Sequence, residues 1–313
     1  MKILINDGMA EAGIQLLKKA GYEVNTTKIP QDDLTEQLPE YDAICVRSAT
    51  KVRQELIEKC PNLKAIGRGG VGLDNIDVDY AKSKGISVLN TPAASSRSVA
   101  ELALGHVLSI ARSIHDAHLN MPAKGNDSFK ALKKSYSKGL ELEGKTLGVI
   151  GLGRIGQEMV RIGLGMGMNV VATDPFVDAV TVRLGGNTHG MDVTISSIEQ
   201  DDLLSNSDFI SIHVPALKDP IITKNEFDKM KDGVIVVNCS RGGIINEDDL
   251  IAALDSGKVK GAGLDVFVGE PNPRTDILQH TKISLTPHTG ASTLEAQDKI
   301  GIELAEKIIG VLG

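Results

Sequence analysis

The chain has 313 residues, 41% hydrophobic and 24% charged, with a formal net charge of −7. That is ordinary globular sequence of two-domain length; it excludes extensive disorder, and its acidic balance argues against nucleic acid as the main partner. No run approaches the ~20 apolar residues of a membrane helix, and the start Met1-Lys2-Ile3-Leu4-Ile5-Asn6-Asp7 lacks a signal peptide's apolar core, so a cytoplasmic location with no membrane partner is expected. Cys45, Cys60 and Cys239 have no metal spacing and read as small buried hydrophobes, and the seven histidines are scattered, so no metal is expected.

The first ninety residues alternate apolar strand candidates (Ile3-Ile5, Tyr22-Val24, Ala43-Val46, Lys64-Gly67, Ser87-Asn90) with helical patterns (Ala10-Ala20, Val52-Cys60, Asp77-Lys84). Such alternation predicts a mostly parallel sheet covered on both faces, with ligands bound outside the carboxyl ends of the strands. Those ends carry Arg47-Ser48-Ala49-Thr50 and Arg68-Gly69-Gly70-Val71-Gly72. Arg47 and Arg68 are candidates for holding an anion; neighbouring glycines let backbone N–H groups converge on it.

A long helix is expected to begin at Ser95 and run to His118, with Ser98 and Glu101 at capping-box spacing and Val99, Leu102, Val107, Ile110 and Ile114 on the helical period. The width of the stripe, with Leu104, Leu108 and Ala111 added, reads as a dimer helix. Met121 to Glu143, with Lys124, Lys130, Lys133, Lys134 and Lys138, reads as a polar, loop-like solvated stretch.

Lys145-Thr146-Leu147-Gly148-Val149-Ile150 then leads into Gly151-Leu152-Gly153-Arg154-Ile155-Gly156, an amphipathic stretch to Met166 follows, and Val170-Val171-Ala172-Thr173 ends in Asp174. Strand, Gly-x-Gly-x-x-Gly, helix, strand and terminal acid form a dinucleotide-binding unit: Gly151 for the turn, Gly153 for close approach of a pyrophosphate, Gly156 for helix packing. The helix N-terminus offers donors and a positive dipole end to phosphate. Asp174 accepts from a ribose diol and repels a 2′-phosphate, which selects NAD over NADP. A weakly patterned stretch with Gly185, Gly186 and Gly190 follows, then strand Phe209-Val214, helix Lys224-Met230, strand Val234-Cys239, helix Glu247-Ser256, strand Gly261-Val266, the short Leu285-Thr286-Pro287, and a last helix Thr293-Val311.

Three residues at strand ends of this second half carry the chemistry: Arg241 in Ser240-Arg241-Gly242-Gly243, Glu270 in Gly269-Glu270-Pro271, and His288 in Thr286-Pro287-His288-Thr289-Gly290. Singly, each has a plain structural alternative: His288 as a cap for the last helix, Glu270 as a surface ion pair, Arg241 as a turn brace. Together, a histidine base, an acid to orient it and an arginine clamp beside a nicotinamide are what oxidation of a 2-hydroxy acid requires. His288 would take the hydroxyl proton, Glu270 would stabilise the protonated ring, and Arg241 would hold the carboxylate and polarise the C2 oxygen.

With these residues the chain resembles, over nearly its whole length, the D-isomer-specific 2-hydroxy acid dehydrogenases, and within them the branch that oxidises D-3-phosphoglycerate. The marks are Val46-Arg47-Ser48-Ala49-Thr50, Gly67-Arg68-Gly69-Gly70-Val71-Gly72-Leu73-Asp74-Asn75, the glycine motif, Val237-Asn238-Cys239-Ser240-Arg241-Gly242-Gly243, Leu264-Asp265-Val266-Phe267 and Pro287-His288-Thr289-Gly290-Ala291-Ser292-Thr293. The resemblance implies an α/β fold of two doubly wound parallel-sheet domains: a Rossmann NAD domain at 95–287 with dimerisation helix 95–118, and a flavodoxin-like, discontinuous substrate domain made of 1–94 and 288–313.

It also implies the triad Arg241, Glu270 and His288, and Asp265 bonding the nicotinamide carboxamide. Cofactor contacts are implied for Gly151, Gly153, Arg154, Ile155, Gly156, Asp174, Val214, Pro215, Cys239, Ser240 and Gly290, and substrate contacts for Arg47, Ser48, Gly69, Gly70 and Val71. The implied product is 3-phosphohydroxypyruvate, at the opening of serine biosynthesis, made by a homodimer in which Lys130, Lys133 or Lys134 reaches the partner's phosphate site. Ser95 stands where relatives often carry a substrate-binding asparagine. Since the sequence ends at Gly313 without the regulatory domain of many such enzymes, no serine inhibition by that route is expected. The alternatives are a glyoxylate or hydroxypyruvate reductase or another D-2-hydroxy acid dehydrogenase, and, from a different class, an NAD-binding corepressor-like regulator.

Overall fold

The computed structural model describes residues 1–185 and 189–313, so Gly186 of the glycine stretch after Asp174 lies outside the described residues. The chain divides into two compact units, Met1–Ser98 with Ala291–Gly313, and Val99–Gly290.

In the first unit β1 (Lys2–Ile5), α1 (Glu11–Lys19), β2 (Glu23–Asn25), α2 (Leu34–Gln37), β3 (Ala43–Val46), α3 (Gln54–Glu58), β4 (Ala65–Arg68), α4 (Val78–Ser83) and β5 (Ser87–Asn90) succeed one another. The strands form one parallel sheet in the order β2-β1-β3-β4-β5, a flavodoxin-like doubly wound arrangement. Ile3, Leu4, Ile5, Ala43, Ile44, Cys45 and Val46 are all buried, which is why these strands read as continuous apolar runs rather than alternating ones. Each such Ile, Leu or Val side chain is worth about 1.5–3 kcal/mol relative to exposure.

The second unit contains α5 (Ser96–Ala111), α6 (Ile114–Ser135), β6 (Thr146–Ile150), α7 (Arg154–Gly165), β7 (Asn169–Thr173), the hairpin β8 (Ala179–Leu184) and β9 (Met191–Ser196), α8 (Gln200–Asn206), β10 (Phe209–Ile212), α9 (Lys224–Lys229), β11 (Val234–Asn238), α10 (Glu247–Ser256), β12 (Val259–Leu264), α11 (Thr275–Gln279) and β13 (Ile283–Leu285). Six of its strands form a parallel sheet ordered β13-β12-β11-β10-β6-β7. The order reverses between β6 and β10, the switch point at which such sheets bind ligands. The closing helix α12 (Leu294–Leu312) belongs to the first unit, where Leu304, Ala305, Ile308 and Leu312 join the core of Ile3, Ile5, Ile14 and Leu17.

Three expectations are corrected. The helix expected over 95–118 breaks at Ser113, which is left-handed (φ 52, ψ 35), and the Ala111 carbonyl accepts from the Leu140 N–H instead. Ser98 does not cap it; its hydroxyl pairs with Thr293 Oγ1 at 2.9 Å.

The stretch read as loop-like is largely helix α6, which contains Pro122 and buries none of its residues. With its apolar residues Ile114, Leu119, Met121 and Phe129 exposed, it carries polar pairs such as Lys124 to Asn120 and Tyr136 Oη donating to Asp116 Oδ2 at 2.7 Å. Finally, the weakly patterned stretch after Asp174 holds the antiparallel pair β8–β9. Its strands alternate at period two, with Val180 and Val182 buried and Thr181 and Arg183 exposed. β9 leads to Ser197, which bridges Ala172 of β7.

Candidate active site

The cofactor loop is set by three constraints at the carboxyl end of β6. Gly151 has φ +97, and a Cβ there would lie 2.4 Å from the His213 carbonyl oxygen; a Cβ on Gly156 would lie 1.8 Å from the Gly151 carbonyl oxygen. Only glycine permits both approaches. α7 then starts at Arg154 with Gly153 as its N-cap, no side-chain cap and no acid in its first turn. A Cβ on Gly153 would enter open space. The helix therefore presents bare N–H donors and its positive end to room for an anion, which fits a dinucleotide pyrophosphate. Asp174, at the end of β7, accepts from the Leu152 N–H at 2.7 Å and the Phe176 N–H at 2.9 Å, so its carboxylate is fixed beside the glycine turn. Around this loop Arg154 and Pro215 are exposed, Ile155 and Val214 partly buried, and Cys239, Ser240 and Gly290 buried.

Arg241, Glu270 and His288 come after β11, β12 and β13, which are neighbours in one parallel sheet, so all three emerge at the same end as Gly151 and Asp174. Glu270 and His288 meet: His288 Nδ1 lies 2.8 Å from Glu270 Oε2, while Glu270 Oε1 accepts from the Phe267 N–H at 2.9 Å. His288 has φ +54, a left-handed conformation uncommon outside glycine, and such strain persists where the surroundings over-determine it.

Those surroundings are Asp265, which is 1% exposed and accepts from the Thr289 N–H and the Gly290 N–H, each at 2.8 Å. The last helix is capped by Thr293, whose hydroxyl accepts from the Ala296 N–H, so His288 is not its cap. Arg241 sits in a locked turn: Asn238 Nδ2 donates to the Arg241 carbonyl, Asn238 Oδ1 accepts from Ser240, and Arg241 Nη1 donates to the Ser240 carbonyl at 2.7 Å.

In the first unit, Arg47 and Ser48 come after β3, and Gly69, Gly70 and Val71 after its neighbour β4. Two residues not singled out from sequence organise that loop. Asp7 Oδ2 accepts from the Arg47 N–H at 2.7 Å and the Thr50 N–H at 3.0 Å, and Asn75 Nδ2 donates to the Arg47 carbonyl at 2.8 Å. Asp7 lies just past the end of strand β1, so the strand-end rule that found Arg47 also pointed to it. Arg68's guanidinium lies over Gly70, and Asn90 Nδ2 donates to the Val71 carbonyl at 2.6 Å.

Burial shifts the thiols and two further histidines. Burial pushes the Cys45 thiol up to about 12 and the Cys60 thiol to about 11, and raises Cys239, so none is a ready nucleophile. Burial holds His213 down at about 4 and lowers His106, which keeps both rings neutral near pH 7. Among the described residues no cluster of three metal-ligating side chains occurs and no helix is long and apolar enough to cross a membrane.

Residues 104–290 match the family model described as D-isomer specific 2-hydroxyacid dehydrogenase, NAD binding domain. A hydroxypyruvate reductase of Thermotoga maritima is 46% identical, over 100% of this chain and 98% of its own length. A D-3-phosphoglycerate dehydrogenase of Archaeoglobus fulgidus is 42% identical over 99% of this chain, which spans 57% of that longer protein. Among solved structures, an NAD-dependent formate dehydrogenase from Staphylococcus aureus in complex with NAD superposes with a TM-score of 0.80 at 27% identity, covering 98% of this chain and 94% of that one.

Proposed function

The chain belongs to the D-isomer specific 2-hydroxyacid dehydrogenase family, NAD-dependent oxidoreductases, and from that premise we propose that it oxidises D-3-phosphoglycerate to 3-phosphohydroxypyruvate, the step that opens serine biosynthesis. The observation that carries the reaction is the His288–Glu270 pair at 2.8 Å on neighbouring strand ends of the NAD domain. NAD supplies the hydride acceptor when bound.

The protein's own residues handle the proton and the charge. Nδ1–H donating to the Glu270 carboxylate leaves Nε2 with its lone pair free, and Nε2 takes the proton of the C2 hydroxyl as that oxygen becomes a carbonyl. Glu270, held by the Phe267 N–H, stabilises the imidazolium so formed. Arg241 holds the substrate carboxylate and polarises the C2 oxygen. Gly151, Gly153, Arg154, Ile155 and Gly156 hold the pyrophosphate, Asp174 the adenosine ribose, and Asp265 the carboxamide; Val214, Pro215, Cys239, Ser240 and Gly290 line the rest of the cofactor's path. Arg47 and Ser48, on a loop pinned by Asp7 and Asn75, bind the anionic substrate with Gly69, Gly70 and Val71.

The enzyme on this reading is a cytoplasmic homodimer assembled through α5 and α6, with a lysine from Lys130, Lys133 or Lys134 reaching the partner's phosphate site. The exposure of Leu119 (73%) and Phe129 (56%) on α6 supports a covered face there.

A second reading, reduction of hydroxypyruvate, is favoured by the Thermotoga relative, which this chain matches from end to end. The two separate by rate, measured at the nicotinamide absorbance. The first expects 3-phosphoglycerate and phosphohydroxypyruvate to turn over far better than glycerate, hydroxypyruvate or glyoxylate. Preference for the unphosphorylated acids rejects it and leaves the triad intact.

A further inference from the structure

Beneath Asp265 lies a buried polar chain that the reaction above does not use. His106, on α5, is 3% exposed. Its Nδ1 lies 2.9 Å from Ser284 Oγ and its Nε2 3.0 Å from Thr286 Oγ1, and the Thr286 hydroxyl donates to Asp265 Oδ1 at 2.6 Å. Room for the ring is made by Gly263 of β12, where a Cβ would lie 2.5 Å from the His106 Cβ.

The directions of the bonds at Thr286 are determined. Thr286 has one hydroxyl proton and gives it to the carboxylate, so its oxygen accepts from His106 Nε2–H. Burial disfavours the charged ring, and Ser284 Oγ, which packs against Nδ1, also lies 3.4 Å from Ser109 Oγ. The chain therefore runs one way from His106 to Thr286 to Asp265. Asp265 Oδ1 then has two donors, Thr286 Oγ1 and the Thr289 N–H, whereas Oδ2 has one, the Gly290 N–H. Of about four acceptor positions on a carboxylate, the open one among the described residues is on Oδ2.

We propose that His106 is a positioning residue for the cofactor's nicotinamide: it locks the Thr286 hydroxyl as a donor to Asp265 Oδ1, and so reserves Oδ2 of a rigidly held carboxylate for an amide N–H of the carboxamide. This rests on Asp265 being the carboxamide acceptor. Without His106 the Thr286 rotor is free to turn away, the carboxylate loses a donor, and the nicotinamide end of the cofactor loses an aligned partner while the adenosine and pyrophosphate ends keep theirs.

The test compares NADH, followed by its fluorescence, with ADP-ribose, which lacks the nicotinamide, followed by calorimetry. His106→Leu and Thr286→Val are expected to raise the Kd of NADH about three- to tenfold, the worth of one ordinary hydrogen bond, and to leave that of ADP-ribose unchanged. His106→Gln, which keeps an N–H donor, and Thr286→Ser, which keeps the hydroxyl, are expected to restore NADH binding to within about twofold. Asp265→Ala is the reference: if it leaves NADH affinity unchanged, the reading of Asp265 fails and the proposal falls with it. If Asp265→Ala weakens NADH but Thr286→Val and His106→Leu do not, the reading stands and the proposal is overturned. Equal weakening of NADH and ADP-ribose by these two variants also overturns it, because the network would then only be supporting the fold. Should His106→Leu fold poorly, the Thr286 pair decides alone.

Discussion

Replacing Glu270 by Gln changes one atom and removes the charge facing His288. The amide oxygen can still accept from the Phe267 N–H, which Glu270 Oε1 does now at 2.9 Å. The amide NH2 then faces Nδ1, 2.8 Å away, as donor against donor. The imidazole restores that bond by moving its proton to Nε2, and the nitrogen needed as proton acceptor is then occupied. A charge-assisted hydrogen bond of this length is worth about 1.5–3 kcal/mol. With the two side chains 46% and 34% exposed, solvent screening places this pair near the lower end. The loss in kcat is therefore expected to be about 10- to 30-fold at roughly 1.4 kcal/mol per tenfold. Steady-state rates with 3-phosphoglycerate, alongside the Kd of NADH by fluorescence, separate the cases. The account requires kcat to fall with NADH affinity intact. A variant with parental kcat, as expected of an ordinary surface ion pair, refutes the reasoning, as does a parallel loss of NADH binding.

Asp174→Asn preserves an acceptor for the Leu152 N–H but removes the charge that repels a 2′-phosphate, so the ratio of NADP to NAD efficiency is expected to rise about tenfold; an unchanged ratio would assign cofactor choice elsewhere. His213 is held down to about 4 from an ordinary 6.5 by burial, so between those values the unfolded chain binds the proton and the folded chain does not. Stability is thus full above about pH 6.5 and is lost as pH falls toward 4, by up to about 3 kcal/mol from this group. Denaturant melts of His213→Gln across that window should show a shallower pH slope than the parent, and equal slopes would count against it. If α6 covers a partner, Leu119→Lys with Phe129→Glu should shift light-scattering mass from twice 33.2 kDa to one copy; a parent already at one copy rejects the dimer.

Much of the placement was legible in the sequence for a physical reason: apolar runs mark the strands of doubly wound sheets, so the positions of Arg47, Asp174, Arg241, Glu270 and His288 at or just after carboxyl strand ends could be read from where those runs stop. The dinucleotide turn was legible because Gly151 and Gly156 are required by backbone approaches that no side chain tolerates. The elements that stayed hidden lack a continuous apolar run. In α6 the apolar residues are sparse among lysines and other polar residues, and Pro122 and Gly125 stand inside it, so it read as loop. The β8–β9 hairpin kept its period-two alternation in Ala179-Val180-Thr181-Val182 and Asp192-Val193-Thr194-Ile195, but polar residues break up the apolar run in each strand and glycines lie between the two, so the pairing was masked. His106 was not singled out, because the partners that explain a buried polar ring there, Ser284 and Thr286 bonding its nitrogens and Gly263 making room, are all distant from it in sequence.

The central claim, that His288 is the group that removes the hydroxyl proton, is tested most directly by His288→Ala assayed for both turnover and cofactor binding. The account predicts that kcat for 3-phosphoglycerate oxidation falls about 10²- to 10⁴-fold, the usual worth of a general base, while the Kd of NADH stays at the parental value. Turnover within a few fold of the parent would contradict it.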